Sequence, residues 1–150
     1  MRTNSERTDD DGGSEKSGKY NSKIGILNVR SLNKLGKLEN VANEMKRMGV
    51  GILGVAETFW RNDGDCPTEL PDSVGGDKYK IFYSGGEKSR RGVGMIVSEV
   101  MLKSVMSCEP ISERIIIMRL KMKPVNMLLV QVYAPCENDK EKKRNVFMRI

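Results

Sequence analysis

Apolar residues along the chain form short runs typical of buried strands and one longer stretch with helical spacing. The first run, Ile24 to Leu27, ends at Asn28, and a second, Gly51 to Ala56, ends at Glu57. Between them, apolar residues recur at steps of one or three, which predicts a helix over Ser31 to Gly49. This order predicts a β-α-β unit with two parallel, neighbouring strands. The alternative is an amphipathic helix between strands that do not pair.

The predicted helix has recognisable ends. Ser31 or Asn33 can cap its N-terminus, since both side chains accept hydrogen bonds from free backbone N–H groups. Lys46 and Arg47 suit the last turn, and Gly49 can end the helix.

The second half of the chain predicts strands with no helix between most of them. Residues 61–77 are rich in Gly, Pro and Asp and predict a long loop after Glu57. Neighbouring strands without a crossing helix pair antiparallel, so the fold class is α/β with a mixed, mainly antiparallel sheet. The predicted strands cover residues 79–83, 92–98, 114–122 and 125–133.

The two ends of the chain differ from its body. Residues 1–22 are charged and contain no aliphatic cluster, which predicts a disordered polar tail before a domain at 23–150. A last helix is predicted from about Lys140, with Val146, Phe147 and Ile150 on one face. Because nothing follows to cover these apolar residues, the sequence predicts a truncated domain.

Composition limits the class of protein and its partners. The chain has 26 Lys and Arg against 20 Asp and Glu, a net charge of +6 that weakly favours nucleic acid. Its three cysteines have no Cys-x-x-Cys spacing and it has no histidine, which excludes a Cys/His zinc site and predicts reduced thiols. Without a signal peptide or a membrane span, the protein is expected to be intracellular, nuclear or cytoplasmic, with no membrane partner. No motif indicates a small-molecule cofactor.

The two residues that end the paired strands are candidates for phosphate chemistry. We expect Asn28 and Glu57 to lie side by side, because the carboxyl ends of neighbouring parallel strands meet at one edge of a sheet. Magnesium is held by oxygen ligands, so Glu57 can ligate a metal and Asn28 can join the metal shell and donate to a phosphate. The competing interpretations are a cap or surface ion pair for Glu57 and a turn residue for Asn28.

Other candidates lie at a third strand end and in a basic segment. Tyr133 ends an apolar strand and can donate to a phosphate oxygen, or simply cover the edge of the core. Lys88, Arg90 and Arg91 can contact a nucleic-acid backbone, as can Arg30 beside Asn28. The alternative for the basic segment is a solvated hairpin edge that blocks aggregation.

Four segments, in their order and approximate spacing, resemble the endonuclease/exonuclease/phosphatase superfamily. They are Leu-Asn-Val-Arg-Ser-Leu at 27–32, Ile-Leu-Gly-Val-Ala-Glu-Thr at 52–58, Arg-Gly-Val-Gly-Met at 91–95 and Val-Tyr-Ala-Pro at 132–135. Within it, the chain is most similar to craniofacial development protein 2-like sequences and to endonuclease domains of non-LTR retrotransposons. The resemblance implies the N-terminal part of a four-layer αββα sandwich.

The resemblance also implies hydrolysis of phosphodiesters in DNA with Mg²⁺ or Mn²⁺. By position, Asn28 would help to bind metal and phosphate, Glu57 would ligate the metal and Tyr133 would contact the scissile phosphate. The later family motifs, Asp-x-Asn and Ser-Asp-His, have no counterpart here. Positioned proton transfer contributes ~10²–10⁴-fold to such reactions, so the chain alone is predicted to be inactive.

Two other functions fit the same residues. One is a noncatalytic module that binds nucleic acid or protein through the basic surface. The other is hydrolysis of a phosphoinositide or another small phosphodiester, which the lack of a basic cluster in residues 61–77 disfavours.

Overall fold

The computed structural model describes residues 23–69, 77–88 and 90–135. The predicted tail at 1–22 and the helix predicted from Lys140 lie outside these residues. The described elements, in chain order, are β1 (Lys23–Asn28), α1 (Lys37–Met48), β2 (Val50–Ala56), β3 (Asp63–Glu69), β4 (Lys78–Ser84), β5 (Val93–Ser98), α2 (Glu99–Leu102), β6 (Val105–Ser112), β7 (Ile115–Leu120) and β8 (Met127–Val132).

The described strands form two sheets. A mixed five-stranded sheet has the order β1-β2-β5-β4-β3, and an antiparallel three-stranded sheet has the order β6-β7-β8. β1 and β2 are parallel neighbours, whereas β2–β5, β4–β5 and β3–β4 are antiparallel. The α/β class, the β-α-β unit and the mixed sheet predicted from the sequence are therefore confirmed.

Helix α1 begins later than its apolar spacing predicts. It starts at Lys37 after Gly36, which has a left-handed conformation (φ 77°), and no side chain caps it. The predicted start at Ser31 and its capping by Ser31 or Asn33 are wrong, because the backbone of Ser31 extends the β1–β2 pairing instead: its N–H donates to the Glu57 carbonyl at 2.6 Å. The predicted C-terminus at Gly49 is confirmed.

Two further segments differ from the prediction. The sequence predicts a loop over residues 61–77, but β3 occupies 63–69 and pairs with β4. Residues 99–113 had no predicted element, yet they contain α2 and β6. Both strands lie at sheet edges. Neither has the strict alternation of apolar and polar residues that identifies a strand in a sequence.

The apolar side chains pack in two layers. One lies between α1 and the five-stranded sheet, and the other lies between the two sheets. In β2, Leu53 and Val55 face the helix layer while Ile52 faces the second sheet. Both faces of β2 are thus buried, so the carboxyl end of this strand stands on a rigid element.

Cys108 is a half-buried free thiol on β6. Burial, with the nearby charges of Glu109 and Asp65, raises the pKa of this thiol to about 11. The Cys108 thiol is therefore protonated at neutral pH and a poor nucleophile.

No helix in the described ranges is long and apolar enough to span a membrane.

Candidate metal and phosphate site

The ends of β1 and β2 lie side by side at one edge of the larger sheet. Asn28 is in register with Ala56, the last residue of β2. The pairing continues beyond both strands, since the Val29 N–H donates to the Ala56 carbonyl at 3.0 Å. Glu57 follows directly, and the predicted juxtaposition of Asn28 and Glu57 is observed.

The carboxylate of Glu57 is where three strand ends meet. Its Oε1 accepts hydrogen bonds from Asn28 Nδ2 at 2.9 Å and from the Tyr133 hydroxyl at 3.1 Å. Tyr133 follows β8 and so reaches Glu57 from the second sheet. The structure therefore brings together the three residues predicted for metal and phosphate chemistry.

The second oxygen of Glu57 has a different environment. Both hydrogen-bond donors to the carboxylate contact Oε1, and among the described residues none bonds to Oε2. Glu57 is half-buried. In the described part of the chain, every fully buried side-chain oxygen has a hydrogen-bond partner. Because Oε2 has no such partner, it is in contact with solvent. Two donors thus orient the carboxylate and leave one oxygen directed to solvent.

The amide of Asn28 is oriented by a second bond. Its Oδ1 accepts the backbone N–H of Arg30 at 3.0 Å, which determines that the NH₂ group faces Glu57. The side chain therefore acts as a donor toward the carboxylate. Direct ligation of a metal by Asn28 stays a prediction.

The backbone of the site is strained. Glu57 has φ 59°, and the facing residues Arg30 and Ser31 have φ 48° and 85°. Left-handed conformations of non-glycine residues cost ~1–3 kcal/mol each and are concentrated at functional sites. The fully buried Thr58 holds the turn, because its N–H donates to the Gly92 carbonyl at 3.3 Å. The turn directs the Glu57 side chain to the sheet edge.

Arg114 is a site residue that the sequence reasoning missed. It is only 6% exposed, and its Nη1 donates to the Tyr133 carbonyl at 3.1 Å. Its guanidinium also lies 5.2 Å from the centroid of the Tyr133 ring, and its carbonyl accepts the Tyr133 N–H at 2.9 Å. Arg114 thereby positions Tyr133. The one sequence signal was a charge immediately before the apolar run at 115–118.

The basic residues predicted to contact nucleic acid differ in their exposure. Arg30, Lys88 and Arg90 are exposed. Arg91 is half-buried, and its Nη1 lies 2.5 Å from the Glu113 carboxylate, so an ion pair holds its charge within the protein. The Arg91 carbonyl accepts the Phe59 N–H at 2.9 Å. This bond attaches the basic loop, which is the stretch that holds Lys88, Arg90 and Arg91, to the segment after Glu57.

The donors at the site fit a hard cation that keeps most of its water. Glu57 supplies a carboxylate oxygen, the Tyr133 hydroxyl supplies a neutral oxygen beside it, and Asn28 orients the carboxylate through its NH₂ group. Within the described ranges there is no cluster of three or more His, Cys, Asp or Glu side chains. Mg²⁺ commonly uses one or two carboxylates plus water and substrate phosphate, so one acid is compatible with it.

No protein-family model matches the chain. The chain is 37% identical over 113 residues to craniofacial development protein 2 of Bos taurus and 36% identical over 113 residues to that of Tragulus javanicus. Each match covers 75% of this chain but only 18% of the relative's length.

The fold is also similar to a solved structure. The AP endonuclease LMAP from Leishmania major superposes with a TM-score of 0.52 at 15% identity, over 84% of this chain and 44% of that protein. The chain is thus homologous to part of craniofacial development protein 2, as its sequence predicts, and it shares the fold of part of an AP endonuclease.

Proposed function

We propose that this chain supplies the metal-binding part of a Mg²⁺- or Mn²⁺-dependent domain that hydrolyses phosphodiesters in DNA. The observation that carries the proposal is the convergence of Asn28 and Tyr133 on one oxygen of Glu57, at the ends of strands from both sheets. A structural ion pair or cap would not require two neutral donors to orient a carboxylate toward solvent. The similarity of the fold to an AP endonuclease supports this reaction class.

Each residue has a distinct role in this proposal. Glu57 would hold the metal through Oε2, while Asn28 keeps the carboxylate oriented. Tyr133 presents its hydroxyl beside the carboxylate, where it can donate to a phosphate oxygen. A bound Mg²⁺ would neutralise charge on the phosphate and help to generate hydroxide.

The chain by itself is not proposed to complete the reaction. It contains no histidine. Within the described ranges, Glu57 does not belong to any cluster of three or more His, Cys, Asp or Glu side chains. Without a positioned base, the rate loses the ~10²–10⁴-fold that proton transfer contributes.

Binding of Mn²⁺ in solution tests the metal site. Free Mn²⁺ measured by electron paramagnetic resonance should fall as the wild-type chain is added, because Glu57 offers an oriented carboxylate oxygen. Glu57→Gln should weaken binding more than ~10-fold, and Asn28→Ala about 10-fold, since residues that orient a ligand typically contribute 10–100-fold.

Glu44→Gln is the matched control for this titration. Glu44 is an exposed carboxylate on α1 that pairs with Arg47 at 2.8 Å, and its loss should leave Mn²⁺ affinity unchanged. Equal affinity of wild type and Glu57→Gln would contradict the proposal.

A noncatalytic nucleic-acid-binding module is the second candidate function. The exposure of Arg30, Lys88 and Arg90 favours it. If the chain is a noncatalytic binding module, its affinity for DNA should depend on salt but not on Mg²⁺ or on Glu57. If the chain carries the proposed metal site, Mg²⁺ should increase the affinity of the wild type for DNA and have no effect on that of Glu57→Gln.

The double variant Lys88→Ala/Arg90→Ala measures the contribution of the basic loop. Each lost phosphate contact should reduce the slope of log affinity against log salt by ~0.9, so we expect a decrease of about 2. Lys103→Ala/Lys121→Ala removes two exposed lysines from other loops and should leave the slope unchanged. Equal slopes for the two double variants, measured by fluorescence anisotropy, would exclude the basic loop as a DNA contact.

A further inference from the structure

Two aromatic residues lie just after Glu57, and the fold uses them differently. Trp60 packs against Tyr83, with 4.9 Å between ring centroids, and joins the layer between α1 and the larger sheet. Phe59 is half-buried, yet it is not among the side chains packed against either apolar layer in the described part of the chain. Core packing therefore does not explain a large apolar ring at this position.

The backbone of Phe59 is strained in the same way as that of Glu57. Its φ is 59°, in the left-handed region that bulky residues rarely adopt. The fully buried Thr58 lies between the two residues and approaches Gly92 so closely that a Cβ there would overlap the Thr58 hydroxyl. The surrounding structure thus fixes the turn, and strained residues that are fixed in this way are concentrated at functional sites.

Two loops that carry exposed cations hold Phe59 between them. The Phe59 carbonyl accepts a hydrogen bond from Asn33 Nδ2 at 3.3 Å, in the loop that follows β1. The Phe59 N–H donates to the Arg91 carbonyl at 2.9 Å, in the basic loop. The exposed cations of these two loops are Arg30, Lys34, Lys88 and Arg90. A strained aromatic residue is therefore bonded on both sides to segments that can contact phosphates.

We propose that the ring of Phe59 is a stacking surface for a base of single-stranded or locally unpaired DNA. Proteins that bind single strands combine cations, which contact the phosphates, with aromatic rings on which the bases stack. A base inside a duplex must first leave its stack, at a cost of a few kcal/mol, before it can reach such a ring. The ring therefore selects DNA whose bases are already unpaired. This inference rests on DNA as the substrate of the proposed function, and it names the kind of DNA that the site takes.

Binding of a short fluorescent oligothymidylate in the presence of EDTA tests the stacking surface. By anisotropy, the wild-type chain should bind the single strand more tightly than the same strand annealed to oligoadenylate. Phe59→Leu should weaken binding of the single strand at least ~5-fold, the effect of losing one stacked base, and leave binding of the duplex unchanged. Phe59→Tyr keeps an aromatic ring and should bind the single strand as the wild type does.

Phe82→Leu is the matched control. Phe82 is also half-buried, but it lies on β4 and packs against the layer between the two sheets. Its substitution should leave affinity for the single strand unchanged under conditions where circular dichroism shows a folded chain. The slope of log affinity against log salt should be equal for the wild type and Phe59→Leu, because stacking releases no counterions. A general loss of structure would instead weaken binding of single strand and duplex alike.

Photocrosslinking of the wild-type chain provides a second measurement that needs no variant. Iododeoxyuridine, placed at one position of the oligothymidylate, crosslinks on irradiation to an aromatic ring stacked on it. We expect mass spectrometry of the digested complex to locate the crosslink at Phe59.

Three results would overturn the inference. The first is that the oligothymidylate does not bind, or binds equally to the wild type and Phe59→Leu. The second is a crosslink at another aromatic residue, such as Trp60 or Tyr133. The third is tighter binding of oligouridylate than of oligothymidylate, which would assign the ring to RNA. Because these measurements contain no metal and the Mn²⁺ titration contains no DNA, failure of the stacking surface can be distinguished from failure of the metal site.

Discussion

Replacing Arg114 with alanine is expected to lower the free energy of unfolding by ~3 kcal/mol. The guanidinium is buried, and it donates to the Tyr133 carbonyl and covers the Tyr133 ring. A hydrogen bond from a charged group contributes about 1.5–3 kcal/mol and a desolvated cation–π contact up to about 2 kcal/mol, while the truncation also leaves a cavity. Urea unfolding measures the loss.

Arg119→Ala is the matched control for Arg114→Ala. Arg119 lies on β7, its side chain is 60% exposed, and it reaches Glu109 only at 4.0 Å. Such surface pairs contribute little, so this variant should stay within ~0.5 kcal/mol of wild type. Similar losses for the two variants would show that Arg114 has no special role in holding Tyr133.

Gly85→Ala is the second substitution with a large expected effect, again ~3 kcal/mol. A Cβ at position 85 would overlap the carbonyl oxygen of Trp60 and lie 2.8 Å from that of Asn62. Backbone oxygens cannot rotate away, and the Trp60 ring is held against Tyr83 with 4.9 Å between centroids. The segment after Glu57 must therefore shift, at the cost typical of overpacking. For a chain of this size, the melting temperature should fall by about 10 °C.

The adjacent glycine provides the control. A Cβ at Gly86 would lie closest to a carboxylate oxygen of Glu113, a side chain that can move at the cost of its ion pair with Arg91. Gly86→Ala should therefore lower the free energy of unfolding less than Gly85→Ala, because the Glu113 side chain can change its rotamer whereas a backbone carbonyl cannot. A loss for Gly86→Ala as large as that for Gly85→Ala, in thermal unfolding followed by circular dichroism, would contradict this account of the loop.

The core of the site could be predicted because it depends on local patterns. The apolar runs before Asn28 and Glu57 and the helical spacing between them define a β-α-β unit, and that unit alone places the two residues together. Tyr133 could be proposed from its strand end and from the family resemblance. Its contact with Glu57 depends on how two sheets pack, which periodicity does not encode.

Other features were missed because tertiary interactions override local pattern. The apolar residue Leu32 fits the helix face, yet its N–H donates to the Thr58 carbonyl at 2.9 Å, so the segment before Lys37 stays outside the helix. β3 has the composition of a loop, and only its pairing with β4 makes it a strand. The Arg114 side chain contacts Tyr133, which is distant in the sequence. The propensity of a single residue does not indicate such a contact.

The location of bound Mn²⁺ tests the central claim most directly. In ¹H–¹⁵N spectra of the wild-type chain, substoichiometric Mn²⁺ should broaden the amide signals of Asn28, Glu57 and Tyr133 first, because their side chains converge on one carboxylate. Glu57→Gln should restore these signals at the same Mn²⁺ concentration. Broadening centred elsewhere, or unchanged in Glu57→Gln, would contradict the assignment of this site.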